Sequence, residues 1–114
     1  MKKAGQELPV LAFKSADELR AWLMKNHRTS DGIWVQLYKK ASGVPSVTFE
    51  QVLDEGLCFG WSESSRRKAD SQSYLQRFTP RRTRGTTSPR NREHLARLIR
   101  EGRMTSFGLA VLDP

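Results

Sequence analysis

Between Arg66 and Arg92 the chain carries Arg66, Arg67, Lys68, Arg77, Arg81, Arg82, Arg84, Arg90 and Arg92, and the only carboxylate in that window is Asp70. Aromatic residues are interleaved with these cations. In "SYLQRFTPRR" Tyr74, Gln76 and Phe78 alternate, and in "IWVQLY" Trp34, Gln36 and Tyr38 do the same. Exposed rings beside arginines can stack unpaired bases, each worth about 1–3 kcal/mol, while the guanidinium groups meet phosphates. The pattern therefore nominates Arg66, Arg67, Lys68, Arg77, Arg81, Arg82, Arg84 and Arg90 as an anion- or nucleic-acid-binding set, with Trp34, Tyr38, Tyr74 and Phe78 as stacking residues. Ser88, ahead of Pro89, adds a helix start whose N–H groups suit an anion. A competing reading makes the rings core, because a small domain needs its large side chains for burial; the arginines stay exposed under either reading.

Residues suited to enzymatic chemistry are poorly placed for it. Cys58 falls in the last turn of a helical stretch, where the helix dipole disfavours a thiolate, and Leu57 and Phe59 flank it, so it reads as a buried structural thiol. His27 and His94 have no second histidine or cysteine at metal-ligand spacing. Asp54 and Glu55 are adjacent in a helix and diverge, and Glu50 with Asp54 suggests a solvated helical face. "GLCFG" lacks the Gly-Lys-Ser/Thr ending of a phosphate loop. The expectation is a non-enzymatic protein without cofactor or metal.

The elements that must position the basic segment follow from periodicity and punctuation. "SADELRAWLMKNH" has Ser15 and Glu18 at capping-box spacing with Leu19, Trp22 and Leu23 on one stripe, which predicts a first helix to Asn26 or His27. "IWVQLYKK" alternates as a strand after the Asp31-Gly32 turn. "TFEQVLDEGLCFG" repeats the capping spacing at Thr48 and Gln51 and stops at Gly60. "WSESSRRKAD" and "SYLQRFTPR" predict a hairpin ended by Pro80. A third helix starts at Ser88-Pro89 and ends at Gly102, and "TSFGLAVLDP" predicts one or two further turns weakened by Gly108. The order is α-β-α-β-β-α-(α). This predicts an α+β fold with a small three-stranded antiparallel sheet and helices packed mainly on one face.

The chain has 114 residues and a formal net charge of +8, from 20 Lys and Arg against 12 Asp and Glu. That length suits one domain, placed at 13–114 behind a lead-in at 1–12 that shows no periodicity. A single cysteine and the lack of a leader-like apolar region indicate the cytoplasm, and no apolar run approaches a membrane span. The charge attracts polyanions and also favours solubility.

Taken together, "AWLMKNH", "GIWVQLYKKASGVPSVTFEQVLDEGLCFGW", "SYLQRFTPRR" and "HLARLIREGRMTSFGLA" resemble the bacterial YdeI/OmpD-associated, or bacteriocin-protection, family. The resemblance runs from Phe13 to Ala110, and "LCFGW" with "RFTPR" and "GRM" carries it. Three departures stand out. Ser62, Glu63 and Ser64 replace an Ile-Asp-Gly, "GTTSP" lacks the tryptophan of a Ser-x-Trp-Ser, and many members continue into a further C-terminal helical segment where this chain ends at Pro114. The resemblance implies a role in antimicrobial-peptide resistance and supplies no reaction, cofactor or catalytic residue. Direct capture of a cationic peptide conflicts with a charge of +8. The functional expectation is binding of an anionic partner through the Arg66 to Arg92 surface, nucleic acid first. The alternative is an accessory role in antimicrobial-peptide or stress resistance, acting through an acidic protein partner.

Overall fold

The computed structural model describes residues 8–81 and 89–112. Its elements are β1 (Val10–Ala12), α1 (Ala16–Asn26), β2 (Ile33–Tyr38), a 3-10 turn (Lys40–Ser42), α2 (Phe49–Phe59), β3 (Trp61–Lys68), β4 (Ser73–Pro80), α3 (Pro89–Arg100) and α4 (Ser106–Leu112). The four strands form one sheet in the order β1-β2-β4-β3.

Local chemistry sets the helix ends. Ser15 caps α1 by accepting from the Glu18 N–H, and Thr48 with Gln51 forms a reciprocal capping box at the start of α2. Gly60 ends α2 at a φ of 75°, a conformation that costs a residue with a Cβ and costs glycine little. From Val52 to Phe59 every residue of α2 is buried, which makes it the central helix of the layer.

The expected three-stranded antiparallel sheet is corrected to a four-stranded mixed one. Val10–Ala12 pairs in parallel with β2, Val10 facing Trp34 and Ala12 facing Gln36, and the Trp34 N–H donates to the Pro9 carbonyl at 2.8 Å. Helix α1 is the crossover between these parallel neighbours, the connection that such a pair requires. Three residues are too few to display a period of two, so the strand is invisible to pattern reading.

Strand β4 pairs antiparallel with both β2 and β3. Residues directly opposite share a face. Ile33, Val35 and Leu37 therefore point with Phe78, Gln76 and Tyr74 toward the helices, joining Leu19, Leu23, Val52, Leu57, Trp61 and Leu98 in the main core. Trp22 packs edge-on to Phe13 and Trp61 at 6.2 and 5.8 Å between centroids. The other face carries a smaller cluster of Leu8, Trp34 and Leu75.

Helix α4 docks on the end of α2 through Gly108. A Cβ there would lie 2.5 Å from the Leu57 carbonyl oxygen, so only glycine permits the approach. The Thr105 N–H donates to the Cys58 carbonyl at 3.1 Å and the Thr105 hydroxyl donates to the same oxygen, satisfying a carbonyl that the helix end leaves open. Phe107 then lies against His27, 4.4 Å between ring centroids.

Candidate functional site

The hairpin of β3 and β4 carries most of the described cations of the nominated set. From residue 61 to 81 it holds Arg66, Arg67, Lys68, Arg77 and Arg81 against Glu63 and Asp70, five positive groups and two negative. Strand β3 is an edge of the sheet, and Ser64 to Lys68 are all exposed. A bulge between Glu63 and Arg66 shifts the register, after which Arg66 stands opposite Gln76, Arg67 opposite Leu75 and Lys68 opposite Tyr74. Arg66 and Lys68 thus lie on the helix side of the sheet and Arg67 on the far side. Arg77, opposite Trp34, shares that far side.

At the hairpin tip the Asp70 carboxylate accepts from the Gln72 N–H at 2.8 Å and from the Ser73 hydroxyl at 2.9 Å. These bonds, the Gln72 one foremost, hold its carboxyl below the usual carboxylate range. One of the two acids on the hairpin is therefore committed to the turn.

Register also divides the four nominated stacking rings between the two faces of the sheet, so they do not form one platform. Phe78 is wholly buried in the main core, and Tyr74 lies on the same face. Trp34 and Tyr38 lie on the far face, Trp34 with only 4% of its surface exposed. The exposed arginines already cover three of the protein's own rings. The Arg66 guanidinium sits 5.0 Å from the Phe49 ring centroid and 4.7 Å from that of Tyr74, and its Nε–H donates to Gln76 Oε1 at 3.1 Å. The Arg67 guanidinium sits 4.4 Å from the Trp34 centroid. Each such contact is worth about 0.5–1 kcal/mol at an exposed site and leaves the charge in place.

The remaining nominated cations are placed differently. Arg81, half-buried, follows β4 and its N–H donates to the Gly60 carbonyl at 2.9 Å. Arg82 and Arg84, with Ser88, lie outside the described residues, and Arg90 is described only as backbone within α3.

Asp54, assigned with Glu50 to a solvated helical face, is instead buried, and so is its neighbour Glu55. Glu55, 1% exposed, accepts from Arg20 Nη1 at 2.9 Å and from Arg103 Nη2, and Arg20 Nη2 donates to the Arg103 carbonyl at 2.8 Å. Asp54 accepts from Arg97 Nη2 at 2.7 Å, and His94 Nδ1 lies 3.2 Å from the same carboxylate oxygen. His94 Nε2 lies 3.8 Å from Glu50. These bonds fasten α1, α3 and the segment before α4 to α2. Adjacent acids diverge by about 100° around a helix, so each finds an arginine only when different neighbouring segments pack on those two sides, a tertiary fact that i to i+4 spacing does not contain. The capping chemistry gave no hint of it; the surplus of arginines around residue 100 was the available signal.

Cys58 is buried, and burial pushes its thiol pKa up against the opposing pull of Arg20. Among the described residues no group of three or more His, Cys, Asp or Glu is arranged to hold a metal ion. A shallow hollow of about 290 Å³ beside Glu93, His94, Arg97 and Arg100 lies on α3. No helix among the described residues is long and apolar enough to cross a membrane.

Residues 11–111 match the model of a family described as a domain of unknown function (DUF8412), and the chain belongs to that family. No curated protein and no solved structure matches it.

Proposed function

We propose that the protein is a non-enzymatic binding module of the cytoplasm that holds nucleic acid by its sugar-phosphate backbone, through Arg66, Arg67, Lys68, Arg77 and Arg81. The observation that carries this reading is the imbalance on the hairpin. Five cations and two carboxylates share β3, β4 and the residue that follows, an excess of three positive charges with both acids counted. Cations held beside an exposed strand, with little negative charge nearby, attract a polyanion by counterion release. The resemblance to the YdeI/OmpD-associated family, resting on "LCFGW", "RFTPR" and "GRM", adds no ligand to this reading.

The test is fluorescence anisotropy of labelled duplex DNA, single-stranded DNA and single-stranded RNA across a salt series. Binding whose logarithm falls linearly with the logarithm of salt is expected, with a slope near 0.9 per phosphate contacted on duplex DNA and about 0.7 on single strands. Lys68→Glu combined with Arg77→Glu abolishes it at moderate salt. Absence of binding to all three polymers at low salt overturns the reading and turns the search toward an acidic protein.

A further inference from the structure

A nucleic acid held by the hairpin cations comes either as a duplex or as a single strand, and the β3 edge suits the two differently. Resting on the proposed function, we infer that the ligand is a duplex, taken by the exposed edge of β3 and held by its backbone, with no base stacked on the protein.

Three features of the molecule lead there. Three of the four nominated rings are occupied or buried: Arg66 covers Tyr74, Arg67 covers Trp34, and Phe78 is inside the core, which leaves the half-buried Tyr38 as a single ring on the far face. A base could stack on Trp34 or Tyr74 only by displacing an arginine that also serves as a phosphate contact, so stacking and backbone binding compete for the same groups.

The second observation is the arrangement of charge about the strand. Arg66 and Arg67 are consecutive, and the register sends them to opposite faces of the sheet. Their stacking partners confirm the split, since Phe49 and Tyr74 belong to the helix side and Trp34 to the far side. Strand β3 is thus a ridge with one guanidinium on each flank, Lys68 following on the first flank and Arg77 lying behind the second. Two rows of cations separated by a strand match two phosphate rows separated by a groove. The major groove of B-DNA, about 12 Å wide, admits a two-stranded β-ribbon, and β3 with β4 is an antiparallel pair of that kind at the sheet edge. A single strand offers only one such row.

The third observation is pre-organisation. A guanidinium uses its face for stacking and its rim for hydrogen bonds, so an arginine laid on a ring keeps its donors in a set plane. Arg66 is fixed further by its bond to Gln76, whose side-chain amide in turn donates to the Ser65 carbonyl at 3.1 Å. The two flanks are built before any ligand arrives, and binding loses less side-chain freedom.

The deciding experiment compares a short duplex, each of its separated strands and heparin against the intact chain, each across a salt series, with tryptophan fluorescence followed in parallel. The duplex binds several-fold more tightly than either strand, a second duplex of unrelated sequence binds equally, and single strands leave the tryptophan emission unquenched. Arg66→Gln and Arg67→Gln each lower the duplex salt slope by about one, and the double variant by about two. Arg66→Lys with Arg67→Lys keeps both charges and most of the slope; this pair is the control should the glutamine variants fold poorly. A tighter complex with a single strand, accompanied by quenching, overturns the edge-on duplex and leaves the proposed function standing. Heparin bound as tightly as duplex overturns the groove geometry, leaving electrostatics alone. No binding to any of them fails the proposed function itself.

Discussion

Arginines stand in two unlike settings in this molecule. On the β3 edge, Arg66 and Arg67 rest on Phe49, Tyr74 and Trp34; in the helical layer, Arg20 and Arg103 close on the buried Glu55, and Arg97 on Asp54. An aromatic partner orders a guanidinium and leaves its charge outward, whereas a carboxylate partner cancels it. The same residue type is an architectural bolt in one place and a source of field in the other. The carboxylate separates the two roles, since Arg20 also lies 5.2 Å from the Phe59 ring centroid while closing on Glu55.

The contrast breaks most readily at Glu55. Glu55→Ala leaves two guanidinium groups facing a buried void, and removing one partner of a buried pair costs about 3 kcal/mol or more. The urea midpoint is expected to fall sharply, while whatever fraction remains folded keeps its polyanion affinity. Unchanged stability would show that Arg20 and Arg103 find water and are bolts in name only.

Gly108→Ala comes next. The added methyl meets the Leu57 carbonyl at 2.5 Å, so α4 must lift from α2. Overpacking of this kind costs about 1–3 kcal/mol. Hydrogen exchange should accelerate selectively in residues 105–112, and uniform acceleration would mean that α4 unfolds only with the rest of the domain.

The edge arginines supply the opposite case. Arg66→Gln or Arg67→Gln is expected to cost less than about 1 kcal/mol in stability, the worth of a surface cation–π contact. A loss as large as that of Glu55→Ala would erase the distinction between the two settings.

Two pH effects are smaller. Burial raises the Cys58 thiol above its ordinary pKa, so the folded protein keeps this proton at pH values where the unfolded chain has released it. Stability contributed by the neutral thiol is complete below the unfolded value of about 8.5 and declines as pH rises from there toward the folded value. Iodoacetamide should accordingly label Cys58 far more slowly in the native state than in urea at mildly alkaline pH, and equal rates would place the thiol at the surface. Asp70 has the reverse sign. Its carboxyl binds a proton less readily when folded, so its contribution is present above about pH 3.9 and is lost as pH falls through the lower folded value. Asp70→Asn should flatten that part of the acid-unfolding curve and change little at neutral pH.

Much of the helical framework was legible locally. Ser15 with Glu18 and Thr48 with Gln51 mark helix starts because the bonds that cap a helix join residues three apart, and Gly60 marks a stop because its backbone angle is a local property. Strand β1 was not legible, since a three-residue strand derives its identity from pairing with Trp34 to Gln36 across α1. The second role of Gly108 was not legible for a related reason. Glycine weakens a helix in isolation, and the gain from its close approach to Leu57 and Cys58 exists only between elements.

The candidate site divides the same way. The sequence by itself determined that the segment after residue 66 is rich in arginine and poor in acid, that Tyr74, Gln76 and Phe78 share one face, and that Trp34, Gln36 and Tyr38 share one. Which of those two rows faced the helices lay beyond it, because alternation specifies a common side without naming the side. Pairing Ile33 with Phe78 put the rows on opposite faces, and the bulge before Arg66 put Arg66 and Arg67 over different rings. Register is a contact between distant segments, and a slip of one residue would have reversed every side chain in the strand, so only the tertiary structure could decide it.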